Sequence, residues 1–409
     1  MSTPSRWTTV GLPQALAWVG AIALAALAIV LYLVGDGPWP ASTIIRVCVV
    51  LGALPAIAWV MQRPRPAAGL AAYAAYVVSL LVVFLAAGGP DATRELWRQA
   101  AFIAVLAAAA APLPVPRGAL IGVHVGCLLL VWLQLAGPRS AYDTVGRAGF
   151  YHALEHWSGY PELGLLMAVA TCAMMAFACA APSATTRVAG AVLALTFGAA
   201  TVFLRSRSAV LTIPIVAVWL LGVAAVKWRS KAAAVVLALG LIGATAMAVR
   251  GGGVTALVSR AADTVTREAA IREQGWRAAR EMLADHPLVG VGLGAYQREY
   301  LERRLGADSA HAYNIVLHVL AESGAIGLLG WVALWARVLY VGVRYAAPTP
   351  RGAAIFALHG ILVAFLIRSQ SEHFLANLMT SDRVLLLLAC WMGLTEGLAM
   401  DARGGQRRA

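Results

Sequence analysis

Apolar residues in this chain run in blocks of about twenty, separated by short polar, glycine- or proline-bearing turns, and the pattern repeats from end to end. About twenty apolar residues coiled as a helix cross roughly 30 Å of hydrocarbon. Lipid offers no hydrogen bonds, so each block must satisfy its own backbone, which predicts helices; the alternating pattern of a membrane barrel is absent. The blocks fall at 13–34, 43–62, 67–88, 98–115, 118–137, 161–181, 188–204, 209–226, 232–249, 323–343, 352–370 and 383–400. They predict an all-α polytopic membrane protein with about twelve transmembrane helices. Three regions follow: an N-terminal transmembrane bundle over 1–249, one long polar loop over 250–322, and C-terminal helices with a basic tail over 323–409.

Composition agrees with this class. Hydrophobic residues make up 61% and charged residues 12% of the 409 residues, and mean hydropathy is +0.76. A soluble domain carries about 25% charged residues, so much of this surface faces lipid. Basic residues in short loops set orientation. With both termini in the cytoplasm, the inner side holds Arg63, Arg65, Arg117, Arg187, Arg351 and both lysines, Lys227 and Lys231, against a single acid, Asp401. Nearly every other carboxylate then lies outside. The net charge of +13 is thus a topology signal and an attraction to anionic lipid headgroups, not a mark of nucleic-acid binding. The first apolar block is too long for a cleaved signal and lacks a small-residue cleavage site. Cys48, Cys127, Cys172, Cys179 and Cys390 all lie in spans without Cys-x-x-Cys spacing, so neither a disulfide framework nor a metal site is expected.

Polar chemistry gathers on the outer side. One loop carries Arg94 and Glu95, another Arg139, Arg147, His152 and His156, a tight turn Arg205 and Arg207, and the long loop most of the rest. Every basic residue outside is arginine, whose planar fork binds phosphate oxygens bidentately and stays charged in a low dielectric. Arginines kept outside against the usual bias suggest an anionic ligand, such as a lipid-linked diphosphate, with Arg205, Arg207 and Arg272 as candidate contacts. The alternative is pairing among neighbours: Glu268–Arg272 and Glu273–Arg277 stand at i, i+4, and Arg298, Arg303 and Arg304 beside Glu299 and Glu302 read as a solvated helix face. Residues 265–284 predict an amphipathic helix with Ile271, Trp276, Ala279 and Leu283 on its inner stripe, stopped by His286-Pro287. Gly290, Gly292 and Gly294 then predict a tight, close-approach turn. His311, in the polar run where the loop returns to the membrane, is the candidate acid–base residue. His124 and His359 fall within spans and read as structural.

On these residues the chain resembles the O-antigen ligase and polymerase superfamily. The resemblance is carried by Ser206-Arg207, Arg272-x-x-x-Trp276, Asp285-His286-Pro287-Leu288-x-Gly290-x-Gly292-x-Gly294, and the stretch from His311 through Glu322-Ser323-Gly324-Ala325-Ile326-Gly327. It covers about 200–345. The family has a histidine followed by Asn, Ser or Gln ahead of the Gly-x-x-Gly ending; here Tyr313-Asn314 occupies that place and His311 stands two residues earlier. The resemblance implies a membrane glycosyltransferase (GT-C-like) fold in the bacterial inner membrane with the long loop and active site periplasmic. It implies an inverting, metal-independent enzyme without cofactor. The donor would be O-antigen on undecaprenyl diphosphate and the acceptor a hydroxyl of lipid A-core oligosaccharide. His311 would be the base, and Arg205, Arg207, Arg272, Arg139, Arg147, Tyr313 and Asn314 would bind diphosphate or substrate. A polymerase uses the same donor and is the nearest rival. A flippase or transporter is disfavoured because the span interiors read as nearly free of charge, Arg46 excepted.

Overall fold

The computed structural model describes residues 12–33, 41–54, 71–89, 91–136, 160–203, 207–228, 271–303, 311–370 and 381–406. Among them there is no strand. The helices are α1 (Leu12–Leu33), α2 (Ala41–Gly52), α3 (Ala71–Ala86), α4 (Ala92–Ala110), α5 (Arg117–Ala136), α6 (Tyr160–Ala180), α7 (Ala184–Phe203) and α8 (Arg207–Trp228). They continue with α9 (271–285), α10 (Tyr296–Glu302), α11 (Ile315–Tyr345), α12 (Pro350–Arg368) and α13 (Ser381–Gln406). Six of the described helices are long and apolar enough to cross a membrane: α1, α6, α8, α11, α12 and α13. This is consistent with a polytopic membrane protein. Each expected span overlaps one of the thirteen helices among the described residues, six of them the span-length ones, except 232–249, which lies outside the described residues.

The bundle is organised around α13, α6 and α12, whose apolar windows are the most enclosed. Helix α12 packs on α6 and α13, α13 on α4, and α11 on α3. Small residues let the backbones approach. A Cβ on Gly393 would come within 2.3 Å of the Leu106 carbonyl oxygen, and one on Gly330 within 3.1 Å of the Tyr76 Cα. Without a hydrophobic force between helices in lipid, such close contact is what holds them together.

Three features differ from the sequence reading. The last long-loop residues are already helical: α11 starts at Ile315, capped by the Asn314 side chain accepting from the Leu317 N–H at 3.0 Å. Its regular course breaks at Gly324 (φ 59°, ψ −162°), one residue beyond the expected start of the span. Second, α9 buries Gly275, Ala278, Ala279 and Met282, while Trp276 is 38% exposed. The inward stripe is therefore rotated by about one residue, because small side chains permit closer packing than the indole. Third, the spans are not empty of charge. Arg337 of α11 grips Glu396 of α13 with two nitrogens, Nε to Oε1 at 2.8 Å and Nη2 to Oε2 at 2.9 Å, and the Tyr73 hydroxyl donates to the same carboxylate at 2.9 Å. These charges escaped the sequence reading since each is isolated in an apolar run.

Candidate active site

Helices α9 and α10, the 311–314 turn and the first turns of α11 build a small second core of Ala278, Ala279, Met282, Tyr296, Tyr300, Ala312 and Ala321. The proline-and-glycine phrase between α9 and α10 ties this core to the kink. Breaking α11 at Gly324 frees carbonyls before it and N–H groups after it, and residues 287–292 supply their partners. Val291 N–H donates to Ala321 O at 2.9 Å and Gly292 N–H to Glu322 O at 3.0 Å. In return Ala325 N–H donates to Pro287 O at 3.0 Å and Ile326 N–H to Leu288 O at 3.1 Å. The two segments lie so close that a Cβ on Gly290 would sit 2.4 Å from the Glu322 carbonyl carbon, and one on Gly324 2.3 Å from that of Leu288. Both glycines also have positive φ, which side-chain-bearing residues seldom adopt.

The clasp positions Glu322. Its Oε1 accepts the Tyr296 N–H at 3.1 Å, and its Oε2 stands 3.5 Å from Nε2 of His318, one turn earlier on α11. The His318 ring packs on Tyr296, centroids 4.9 Å apart. Both residues face a chamber of about 400 Å³ between α3, α4, α11 and α13, roofed by the 293–297 segment. Its polar wall is Glu322, His318, Arg94, Glu95, Gln99 and Tyr76; its apolar wall includes Phe102, Trp331, Trp335, Leu385 and Met392. Glu95, ahead of the span expected from 98, accepts from Arg98 at 2.6 Å and Gln99 at 2.7 Å, and the Tyr76 hydroxyl donates to Gln99 at 2.8 Å. Burial pushes the Glu95 carboxyl above its ordinary range; Arg98 opposes this and the facing Glu322 charge adds to it.

Residues 190–332 match the family model described as O-Antigen ligase. This segment belongs to the O-antigen ligase and polymerase superfamily. No curated protein matches the chain. The O-antigen ligase segment thus contains α9, α10, the clasp and the first half of α11, and so supplies the roof and one wall of the chamber.

The expected site residues are distributed unevenly around this geometry. Arg272 is half-buried, with its guanidinium carbon 6.0 Å from the Tyr313 ring centroid. Tyr313 has a positive φ of 49°, a strained conformation for a bulky residue, and meets the His311 ring edge-on at 4.4 Å. Asn314 caps α11 and reaches Gln370 at 3.4 Å. His311 is 8% exposed and is not part of the chamber wall. Burial, with His318 nearby, lowers its pKa to about 3. Arg207 begins α8; its side chain, and the whole of Arg139, Arg147 and Arg205, lie outside the described residues. The residues read as a solvated face serve instead to fix α10: Arg303 bridges to Asp285 at 2.7 Å and Arg298 to Asp91 at 3.4 Å. Arg304 lies outside the described residues.

Sequence reasoning missed His318 altogether. The signal was the Asn314 cap: once α11 begins there, His318 and Glu322 stand at i, i+4 on one face. It also missed Arg368, 1% exposed at the end of α12, beside Ser369, whose carbonyl accepts the Ile315 N–H at 3.1 Å. Among the described residues no three His, Cys, Asp or Glu side chains are grouped to hold a metal ion.

Proposed function

We propose that this protein is an O-antigen ligase, an inverting glycosyltransferase on a GT-C-like fold of about twelve spans. It transfers O-antigen glycan from undecaprenyl diphosphate to a hydroxyl of lipid A-core oligosaccharide at the periplasmic face of the inner membrane. The observation that carries this reading is that the O-antigen ligase match covers 190–332, the stretch that builds the roof and a wall of the chamber. A chamber polar on one side and aromatic on the other suits a ligand with an apolar carrier and a hydroxylated head.

Leaving-group charge in such a reaction grows on the diphosphate and calls for preorganised cations. Arg272, Arg205 and Arg207, with Arg139 and Arg147 in support, meet that need in this reading, and no metal or cofactor is required of them. Arg94 adds a cation at the chamber itself. Tyr313 and Asn314 shape the turn under Arg272. His311, edge-on to Tyr313 at the same turn, is the general base in this reading.

The test is deletion followed by lipopolysaccharide gel analysis. The expected outcome is loss of every glycan-capped band, with lipid-linked polymer accumulating. Bands that keep a single repeat would instead identify a polymerase, which uses the same donor. An unchanged ladder would remove both readings.

A further inference from the structure

We propose that the last turns of α8, α11 and α13 form a binding site for the phosphate of an anionic phospholipid. The site stands apart from the chamber: α11 reaches it roughly 30 Å beyond the kink at Gly324. The apolar spans in these three helices end at Trp228, Tyr345 and Arg403. Each last turn carries a basic residue, Lys227, Arg344 and Arg403 in turn. Cations at the ends of spans lie at the depth of the lipid headgroups, where basic clusters between helices bind anionic ones.

Side-chain contacts hold the three ends together. Lys227 Nζ donates to the carbonyl oxygens of Val343 and Arg344, the latter at 3.0 Å. The Arg344 and Arg403 guanidinium carbons lie 5.7 and 5.1 Å from the centroid of one ring, that of Tyr345. Arg403 Nε also donates to the Tyr345 hydroxyl. Lys227 and Arg344 are exposed and Arg403 is half-buried, so all three are open to a ligand. The carboxylates of the same stretch of α13 are engaged elsewhere, Glu396 with Arg337 and Asp401 with Arg117. Among the described residues no acid pairs with Lys227, Arg344 or Arg403.

Helix C-termini offset only about half an elementary charge each, so a positive surplus remains around one phenol. Two guanidiniums on the same ring repel one another. A phosphate taken between their forks replaces that repulsion with charge-assisted hydrogen bonds. Beside the cations lies apolar surface: Val226, next to Lys227, is 83% exposed, and Tyr340, one turn before Arg344, is 55% exposed. Acyl chains cover such surface and a free phosphate ion does not, which favours a lipid. A lipid bound there ties α8 to α11 and α13, the two helices that also line the chamber.

The experiment uses the purified full chain in a non-ionic detergent, titrated with phosphatidylglycerol and, in parallel, with phosphatidylcholine. Lipid binding is read by native mass spectrometry and by the shift in unfolding temperature. Phosphatidylglycerol is expected to stay bound and raise the unfolding temperature, and phosphatidylcholine to do neither. Arg344→Gln with Arg403→Gln is expected to weaken phosphatidylglycerol binding by about tenfold or more. Arg344→Gln alone changes an exposed side chain and is expected to give a smaller loss of the same sign, which serves if the double variant does not fold. Arg351→Gln removes an exposed charge from the first turn of α12 and is expected to bind as wild type does. Equal binding of the two lipids, wild-type affinity in the Arg344 variants, or an equal loss in Arg351→Gln would overturn the site. Inorganic phosphate that raises the unfolding temperature as far as phosphatidylglycerol would overturn the lipid assignment in favour of a simple anion.

Discussion

His311 and His318 are both enclosed, at 8% and 5% exposed, in different surroundings. His318 has a carboxylate at one nitrogen. His311 sits against Tyr313 and, through its backbone, against Gly275 of α9, where a Cβ would come 3.2 Å from the His311 carbonyl oxygen. Folding lowers the pKa of His311 from 6.5 to about 3, chiefly through burial. Between those values the unfolded chain binds a proton that the folded chain refuses, so stability must fall as pH drops through 6.5 and continue falling towards 3. His311→Asn should flatten that slope. The measurement is thermal unfolding of purified protein at pH 7.5 and pH 5. Equal loss in wild type and variant would show that His311 is not the group responsible. Its place in a polar run was visible in the sequence; its enclosure was not, because Gly275 of α9, which packs on the 311–312 backbone, meets it only in the folded chain.

At the scale of elements, the phrase from Asp285 to Gly294 was legible as a turn but not as a clasp. Proline after His286 marks the helix stop, and α9 does end at residue 285. What the spacing did not reveal is that Gly290 and Gly292 serve a kink more than thirty residues further along, at Gly324. That pairing is long-range and leaves no local periodicity. Gly324→Ala would have to hold φ near 59° and place a Cβ 2.3 Å from Leu288. The backbone conformation, nearly confined to glycine at this ψ, alone costs about 1–3 kcal/mol, and the collision adds to it. The expected outcome is a lower melting temperature and a large loss of transfer, as Glu322 and His318 move together with the kink. Gly126→Ala is the control, because its Cβ would meet nothing within 4 Å. Similar behaviour of the two variants would show that the clasp does not position the chamber.

For the whole molecule, hydropathy made the polytopic class readable, and eleven of the expected spans overlap a described helix; the expected orientation rests on the distribution of basic residues alone. Long-range charge pairing was invisible to that reading. Arg117, expected as a topology signal, also pairs with Asp401 at the far end of the chain and donates to Ala110 O at 3.0 Å and Ala111 O at 2.7 Å. Deeper in the bundle, Arg337 and Glu396 are 16% and 6% exposed at the side chain and join α11, which carries His318 and Glu322, to α13, which lines the opposite side of the chamber. A transporter would use such charges to move an ion. Here each is met, the carboxylate by two guanidinium nitrogens and the Tyr73 hydroxyl, which favours a brace. Removing one partner strands the other, so Arg337→Met or Glu396→Leu alone should destabilise by about 3–5 kcal/mol. Replacing both with apolar residues of similar volume should restore most of that loss, since a buried pair is often no more stable than its apolar substitute. Thermal unfolding of the two single variants and the double variant measures the coupling, and transfer assays follow function. If the double variant is stable and active, the pair is a brace for the chamber wall. A double variant as stable as wild type but unable to transfer would assign these charges to the chemistry instead.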